Sequence, residues 1–409
     1  MRSLIQSNTP QLLRGLIYAL VLITPLIFTS STVEGFEFPK MLFIYLIGTT
    51  IIFLFLVSTT AKIVKPALIP TVFISSYLLS TLLSTHIYSS LWGYYSRFNG
   101  GLISMLVYFG LYITTANVMG KTGVENIKKS IVLTSIPVSV YGIVQHIILS
   151  KEQDTIRIFS TLGQANWLGA YLAFCILIAL GFMLREQKWK FYCITYCLGF
   201  VALWLTFSVS SLLGFIVGLM ILAVYNKDLL IAQKQKTLLI IIYSISVMVL
   251  TPGIWRARIE DVYNSLTLVQ KTYAQENKHF KLSDSGLIRR GMWAGSLGII
   301  FTEPKTFIVG TGPETFAYEF QKHRPAFLNY TSEWDYILNK PHNYYLELWA
   351  ACGIVGLISY LSLLVHIYRK SSVTLKPALL AMYVVNIFSW PTTVVNLFFW
   401  ILLADEQTD

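Results

Sequence analysis

Long apolar runs separated by short polar segments dominate the sequence. A bilayer core of roughly 30 Å needs about 20 residues of helix, so runs of this length predict transmembrane helices. Twelve candidate runs of 14 to 25 residues are present, at residues 13–30, 39–58, 66–84, 101–118, 129–149, 166–184, 191–208, 211–226, 236–251, 344–368, 375–389 and 391–404. The expected fold is therefore an all-α polytopic integral membrane protein with about 12 transmembrane helices.

The composition and the placement of charge agree with a membrane protein. Hydrophobic residues make up 55% of the chain and charged residues only 12%, against about 25% charged in a soluble domain. The net charge of +11 would suggest nucleic acid in a soluble protein. With the N-terminus in the cytoplasm, however, the short inside segments hold 16 Lys and Arg and the short outside segments hold 4. This positive-inside bias predicts cytoplasmic termini and no nucleic-acid partner.

One polar segment, residues 252–342, is far longer than a passive connection between spans. It contains 11 basic and 9 acidic residues together with several Trp, Tyr and Phe, and the same orientation places it outside the cytoplasm. The predicted organisation is a membrane domain of nine spans at 1–251, a large helical outer loop at 252–342, and three further spans at 343–409.

Neither a cofactor nor a metal is expected. The sequence contains no phosphate-binding glycine loop, no DxD-like acidic pair, no CxxC pair, and no histidines at metal-ligand spacing. This argues against chemistry driven by ATP or by a nucleotide sugar.

Two outer segments place an arginine just before a span. Arg97 lies in YYSRFNGG before the fourth span, where an interfacial aromatic belt and an anion-binding role are equally good interpretations. Arg157 opens RIFSTLGQAN before the sixth span, and Asn166 is expected to be the N-cap of that helix. A helix N-terminus attracts anions, so a substrate role for Arg157 is compatible with the cap.

The large loop contains a third candidate segment, SGLIRRGMW. Arg289 lies one helical turn before Trp293 and is expected to face a protein-lined site together with it. Arg290 is expected on the solvated face of the same helix.

The fourth candidate segment is the junction between the large loop and the tenth span. His342 can take a proton from a hydroxyl near pH 7, although an interfacial or capping histidine is the simpler interpretation. Asn343 is expected to be the N-cap of the tenth helix, with Glu347 one turn in, where the helix dipole favours an acid.

Taken in order, these segments resemble the O-antigen ligase/polymerase superfamily of bacterial surface-polysaccharide enzymes. The resemblance is carried by Arg-x-x-Gly before the fourth span, Arg and Gly-x-x-Asn before the sixth, Arg-x-x-x-Trp and a Gly-x-Gly turn in the large loop, and His-Asn-x-x-Leu-Glu leading into a Gly-x-x-Gly helix. It covers most of the chain, and the order of the motifs is more specific than any one of them.

The resemblance implies a multi-pass enzyme of the bacterial inner membrane with its active site outside the cytoplasm. In this superfamily a glycan linked to undecaprenyl pyrophosphate is transferred to an acceptor hydroxyl, without a nucleotide or a metal. The acceptor is a glycolipid such as lipid A-core in a ligase of lipopolysaccharide biosynthesis, a growing glycan in a polymerase, or a protein Ser or Thr in a protein O-oligosaccharyltransferase.

The resemblance also implies roles for individual residues. His342 matches the family's loop histidine, the general base, and Arg289 matches the loop arginine that holds the donor pyrophosphate. Many relatives carry a Ser-Arg pair between the seventh and eighth spans, but Val209 stands here in place of the Arg. Arg157 or Arg97 supplies the second cation, or the donor is held differently, or the activity is altered. Supporting roles are expected for Asn166, Asn343, Glu347, Trp293 and Arg290.

Two other classes of function are compatible with twelve spans. A transporter or flippase for lipid-linked sugars predicts charged residues within the spans and an internal repeat, and the sequence shows neither clearly. A structural membrane protein predicts no convergence of Arg and His side chains. The distance of His342 from the outer arginines therefore discriminates between these classes.

Overall fold

The structure is a computed structural model that describes residues 2–58, 65–150, 156–251, 253–266 and 285–407. These residues form helices joined by turns, with no strand among them. The α-helices are α1 (Arg2–Ile23), α2 (Glu37–Ser58), α3 (Leu68–Leu82), α4 (Ile87–Trp92), α5 (Leu102–Val118), α6 (Lys121–Leu149), α7 (Ala165–Arg185), α8 (Trp189–Leu205), α9 (Val209–Tyr225), α10 (Lys227–Ala232), α11 (Lys234–Leu250), α12 (Trp255–Leu266), α13 (Ser285–Ile300), α14 (Pro304–Val309), α15 (Phe316–Glu319), α16 (Tyr344–Lys370), α17 (Lys376–Val385) and α18 (Thr393–Leu402). The predicted all-α fold is confirmed for this part of the chain.

Each predicted span overlaps one of these helices, but several helix lengths differ from the prediction. Among the residues that the structure describes, five helices are long and apolar enough to cross a membrane, namely α1 from Thr9 onward, α2, α6, α7 and α16. By contrast, α17 and α18 have 10 residues each, which at about 1.5 Å per residue covers only about half of a bilayer core. The count of about twelve spans therefore stays a prediction.

Helix α7 lies at the centre of the bundle. It packs against α6, α8, α9 and α17, and 94% of its apolar 18-residue stretch is buried inside the protein. A helix that meets other helices on every side is apolar all round rather than amphipathic, which is the pattern of its sequence. A second, smaller core lies in the long loop, where Ile288, Met292 and Phe320 pack with Ala350 of α16.

A backbone contact joins the long loop to a kink in α16. Gly353 interrupts the helix with φ 66° and ψ −175°, a conformation that favours glycine. A Cβ on Gly353 would lie 2.1 Å from the carbonyl oxygen of Ile308, and one on Gly310 would lie 2.1 Å from that of Ala351. The amide of Gly312 donates to the same Ala351 oxygen at 2.9 Å. The Gly-x-Gly turn of the loop (residues 310–312) and the Gly-x-x-Gly part of α16 (residues 353–356) therefore pack against each other through their backbones.

Helix α6 separates two polar regions of the bundle. Near its start, the buried Nζ of Lys128 contacts Glu125 Oε2 at 2.5 Å and Ser372 Oγ at 3.0 Å. Near its end, Gln145 Oε1 accepts a hydrogen bond from the amide of Ser160 at 2.9 Å. The segment that contains Arg157 therefore lies at the far end of α6 from Lys128.

Candidate active site

His342 lies at the junction between the long loop and α16. The next residue, Asn343, is the N-cap of α16 as predicted, since its Oδ1 accepts from the amides of Tyr345 and Leu346 at 3.0 and 3.1 Å. His342 itself has φ 54°, which is uncommon for a residue with a side chain and is a form of backbone strain found most often at functional sites. Its ring packs edge to face on Trp390, with the ring centroids 4.9 Å apart.

Two arginines face His342. Burial is the largest cause that lowers the pKa of its imidazole, and the charges of Arg289 and then Arg97 lower it further, to about 3. The imidazole is therefore neutral near pH 7 and has a free lone pair that can accept a proton. The structure thus brings together the histidine and two of the three arginines singled out by the sequence.

Arg97 packs beside a pair of tryptophan rings. Its guanidinium carbon lies 5.3 Å from the ring centroid of Trp167 and 5.6 Å from that of Trp390, which is cation–π range. The buried Nε of Arg97 has no hydrogen-bond partner among the residues that the structure describes. Arg97 is therefore a packed side chain within the protein rather than a snorkelling one.

Arg157 is attached to the hairpin between α8 and α9. Its Nε donates to the carbonyl oxygen of Thr206 at 2.9 Å, and its Nη2 donates to Asn166 Oδ1 at 2.7 Å. Burial, and then the charges of Arg258 and Arg289, lower the pKa of the Arg157 guanidinium to about 10. Arg157 therefore stays charged near pH 7 and lies close to two other cations.

The expected capping role of Asn166 is wrong. Helix α7 begins at Ala165, and Gln164 occupies its N-cap position without a side-chain hydrogen bond. Asn166 lies in the first helical turn, where its side chain accepts from Arg157. A short amide before an apolar run suits a cap as well as an arginine partner, so the sequence alone cannot separate the two roles.

Helix α13 presents the loop arginines on different faces. Arg289 is half-buried and close enough to His342 and Arg157 to lower the pKa of both. Arg290 is exposed, as expected. One turn further on, Trp293 packs against Phe388 with ring centroids 6.5 Å apart. Arg289 therefore connects the His342 side of the site to the Arg157 side.

Glu347 belongs to a buried ion-pair network beside the site. The Nζ of Lys340 donates to Oε1 of Glu347 and to Oε1 of Glu314. Burial lowers the pKa of Lys340, but the charges of the two carboxylates outweigh this effect and raise it. The network fixes the chain on both sides of His342, since Lys340 precedes it by two residues and Glu347 follows it in α16.

A small cavity of about 30 Å³ lies behind Arg97. Its lining includes Glu37 and Glu347, whose Oε1 and Oε2 atoms respectively have no hydrogen-bond partner among the described residues. A polar cavity of this size accommodates water. Arg97 and Trp390 line the same cavity, and the charge of Arg97 lies close enough to the carboxylates of Glu37 and Glu347 to interact with both.

Several members of this arrangement were not predicted from the sequence, namely Trp390, Trp167, Arg258, Lys340, Glu314 and Glu37. The two tryptophans are indistinguishable in sequence from an interfacial aromatic belt. Lys340 had a detectable signal, because it stands two residues before His342 with Glu347 one turn into the next helix, at a spacing that allows an ion pair.

The site combines guanidinium groups, which suit phosphate or pyrophosphate, with a neutral histidine that can act as a base. It lies in a bundle that includes helices long and apolar enough to cross a membrane, and these groups suit transfer chemistry on an anionic substrate.

Residues 194–361 match the family model described as O-antigen ligase. This match supports the resemblance to the O-antigen ligase superfamily that the motifs indicated, and at a coarse level it supports a glycosyltransferase-like enzyme. The matched region includes Arg289, His342 and Glu347 but neither Arg97 nor Arg157. No curated protein matches the chain.

Proposed function

We propose that the protein transfers a glycan from undecaprenyl pyrophosphate to an acceptor hydroxyl on the outer face of the bacterial inner membrane, as an O-antigen ligase-like enzyme. The observation that supports this most strongly is the convergence of Arg97 and Arg289 on His342, with Arg157 close to Arg289. A structural membrane protein gives no reason for cations to gather around a buried histidine, since like charges repel.

In the proposed reaction, the neutral imidazole of His342 takes the proton from the acceptor hydroxyl. The acceptor oxygen then forms a bond to the anomeric carbon, and the bond from that carbon to the pyrophosphate oxygen breaks. The leaving lipid pyrophosphate carries the electron pair, and the guanidinium groups of Arg289, Arg157 and Arg97 stabilise its charge. Glu347, Asn343, Asn166 and Trp293 support these groups, while Arg290 lies on the exposed face.

The experiment that tests the function is transfer by purified protein in nanodiscs with an undecaprenyl-pyrophosphate-linked glycan from the host. Lipid A-core, free glycan and a Ser/Thr peptide are offered as separate acceptors. Transfer to lipid A-core supports a ligase, extension of free glycan a polymerase, and labelling of the peptide a protein glycosyltransferase. A chelator should leave the rate unchanged. No product with any acceptor, together with movement of the intact donor between leaflets, would instead indicate a flippase.

We further propose that Arg157 supplies the cation that relatives carry at the position of Val209. Two contacts support this, because Arg157 donates to Thr206 O and to Asn166 Oδ1 at the hairpin where α9 begins. Arg157→Ala should lower kcat/KM for the donor by about 10²-fold, the usual loss for one transition-state donor. Adding Val209→Arg to this variant should restore part of the activity.

The control for this exchange is Val209→Arg in the wild-type background, which should leave the rate within threefold. Failure of Val209→Arg to restore any activity to a folded Arg157→Ala variant would contradict the replacement, as would a fully active Arg157→Ala variant.

A further inference from the structure

Trp390 contacts both functional side chains through one indole ring. One contact is the edge-to-face packing of the His342 ring at 4.9 Å, and the other is the guanidinium of Arg97 at 5.6 Å from the ring centroid. Trp167 completes the arrangement, since its ring lies 5.9 Å from that of Trp390 and 5.3 Å from Arg97. Trp390 lies outside the region that matches the family model.

The segment that carries Trp390 is tied to both sides of the site. At one end, the carbonyl oxygen of Asn386 accepts from the amide of Tyr344, in the first turn after His342, at 2.9 Å. At the other end, Thr393 Oγ1 accepts from Asn99 Nδ2 at 3.0 Å, two residues after Arg97. Residues 386–393 therefore connect the helix that follows His342 to the segment that contains Arg97.

We propose that Trp390 is a positioning residue for glycan transfer, holding Arg97 beside His342 so that one bound pyrophosphate and one acceptor hydroxyl can be engaged together. This inference rests on the proposed function, in which Arg97 binds the donor and His342 is the base. A guanidinium held by cation–π attraction to an indole keeps its N–H groups available for phosphate oxygens. The contact with Trp390 therefore positions Arg97 without using a hydrogen-bond donor.

The same ring is part of the packing that buries His342, and burial is the largest cause of its low pKa. The charged groups that face His342 are Arg289 from α13 and Arg97 from the segment before α5. Lys340, two residues away, is engaged by Glu314 and Glu347, and the segment 386–392 that carries Trp390 has no charged residue. Removing the indole admits water and releases Arg97, and both changes raise the pKa of His342 toward its ordinary value of 6.5. A base works only when neutral, so the variant should lose function as the pH falls through this raised pKa.

The test uses full-length protein in nanodiscs and two readouts that need no knowledge of the sugar. One is the Kd for undecaprenyl pyrophosphate, and the other is the pH dependence of carbethoxylation of His342 by diethyl pyrocarbonate, which reports the neutral imidazole. Trp390→Leu should raise the Kd roughly tenfold and make the carbethoxylation rate fall below about pH 6. Trp390→Phe keeps an aromatic ring with a weaker cation–π attraction, so it should raise the Kd by only about threefold. Its carbethoxylation rate above pH 5 should be as independent of pH as that of the wild type. The matched control is Trp334→Leu, at an exposed tryptophan of the loop, which should match the wild type.

If Trp390→Leu does not fold, Trp390→Phe decides, and an unchanged Kd in that variant overturns the inference. A wild-type Kd and a flat pH profile in folded Trp390→Leu also overturn it. Failure of the proposed function is a different result, since the wild-type protein would then not bind undecaprenyl pyrophosphate at all, or His342→Ala would transfer glycan normally.

Discussion

His342→Ala should lower the rate of glycan transfer by about 10²- to 10⁴-fold, the contribution expected of a general base. The structure gives the reason, because the imidazole is neutral and buried and is faced by the arginines proposed to hold the donor. The measurement is the initial rate of product formation with the acceptor found active. The Kd for undecaprenyl pyrophosphate should change little, because the base acts on the acceptor.

The matched control is His323→Gln, at a second histidine of the large loop. His323 lies 3.2 Å from Thr302 Oγ1 and has no role in the proposed mechanism, so this variant should remain within threefold of the wild type. The pH dependence gives a second check. With a pKa of about 3 for His342, kcat/KM for the donor should not fall between pH 8 and pH 5. A normal rate of glycan transfer by His342→Ala would contradict the proposed role of His342 as the general base.

Arg289→Ala should lower kcat/KM for the donor by about 10²-fold, because it removes a guanidinium aimed at the charge that develops on the pyrophosphate. Arg289→Lys should recover only part of this loss, since an ammonium lacks the planar fork of donors. The measurement is kcat and KM for the lipid-linked donor at saturating acceptor. The adjacent Arg290→Ala offers a matched control, because Arg290 has the same charge on the same helix but is exposed.

The Arg289 substitution should also change the pH dependence. Its charge is the second cause, after burial, of the low pKa of His342, so Arg289→Ala should raise that pKa and shift any loss of activity at low pH upward. Equal losses in Arg289→Ala and Arg290→Ala would contradict a specific role for Arg289 and point to a general effect of loop charge.

The ends of some helices were predictable and those of others were not, for a physical reason. Helix α2 covers Glu37–Ser58 against the expected 39–58, because its apolar run is bounded by polar residues on both sides. Helices α17 and α18 are much shorter than expected. The segment between them reads NIFSWPT, which is apolar enough to extend a hydrophobic run. In the structure this segment is not helical, and the carbonyl oxygen of Asn386 accepts a hydrogen bond from the amide of Tyr344 at the start of α16. A hydropathy pattern does not predict such a hydrogen bond between distant segments.

The candidate site was predictable where charge made it visible. Ionisable groups near apolar spans are costly and therefore conspicuous, which is why Arg97, Arg157, Arg289 and His342 stood out. The tryptophans did not stand out, because aromatic residues are common at membrane surfaces. The sequence left open which arginine replaces the one that relatives carry at Val209, because the contact of Arg157 with Thr206 joins two segments that are distant in the chain.

The backbone contact between the loop turn at Gly310 and the kink of α16 at Gly353 has a consequence for exchanging segments between relatives. The loop turn and the kinked helix fit only as a pair, because neither glycine leaves space for a Cβ. A chimaera that takes only the loop from a relative would pair that loop with an α16 from a different protein, and the two backbones would then not be matched at this contact. Acceptor specificity is therefore best mapped by exchanging residues 285–356 as one block, with the helix start that carries His342 travelling together with its own loop.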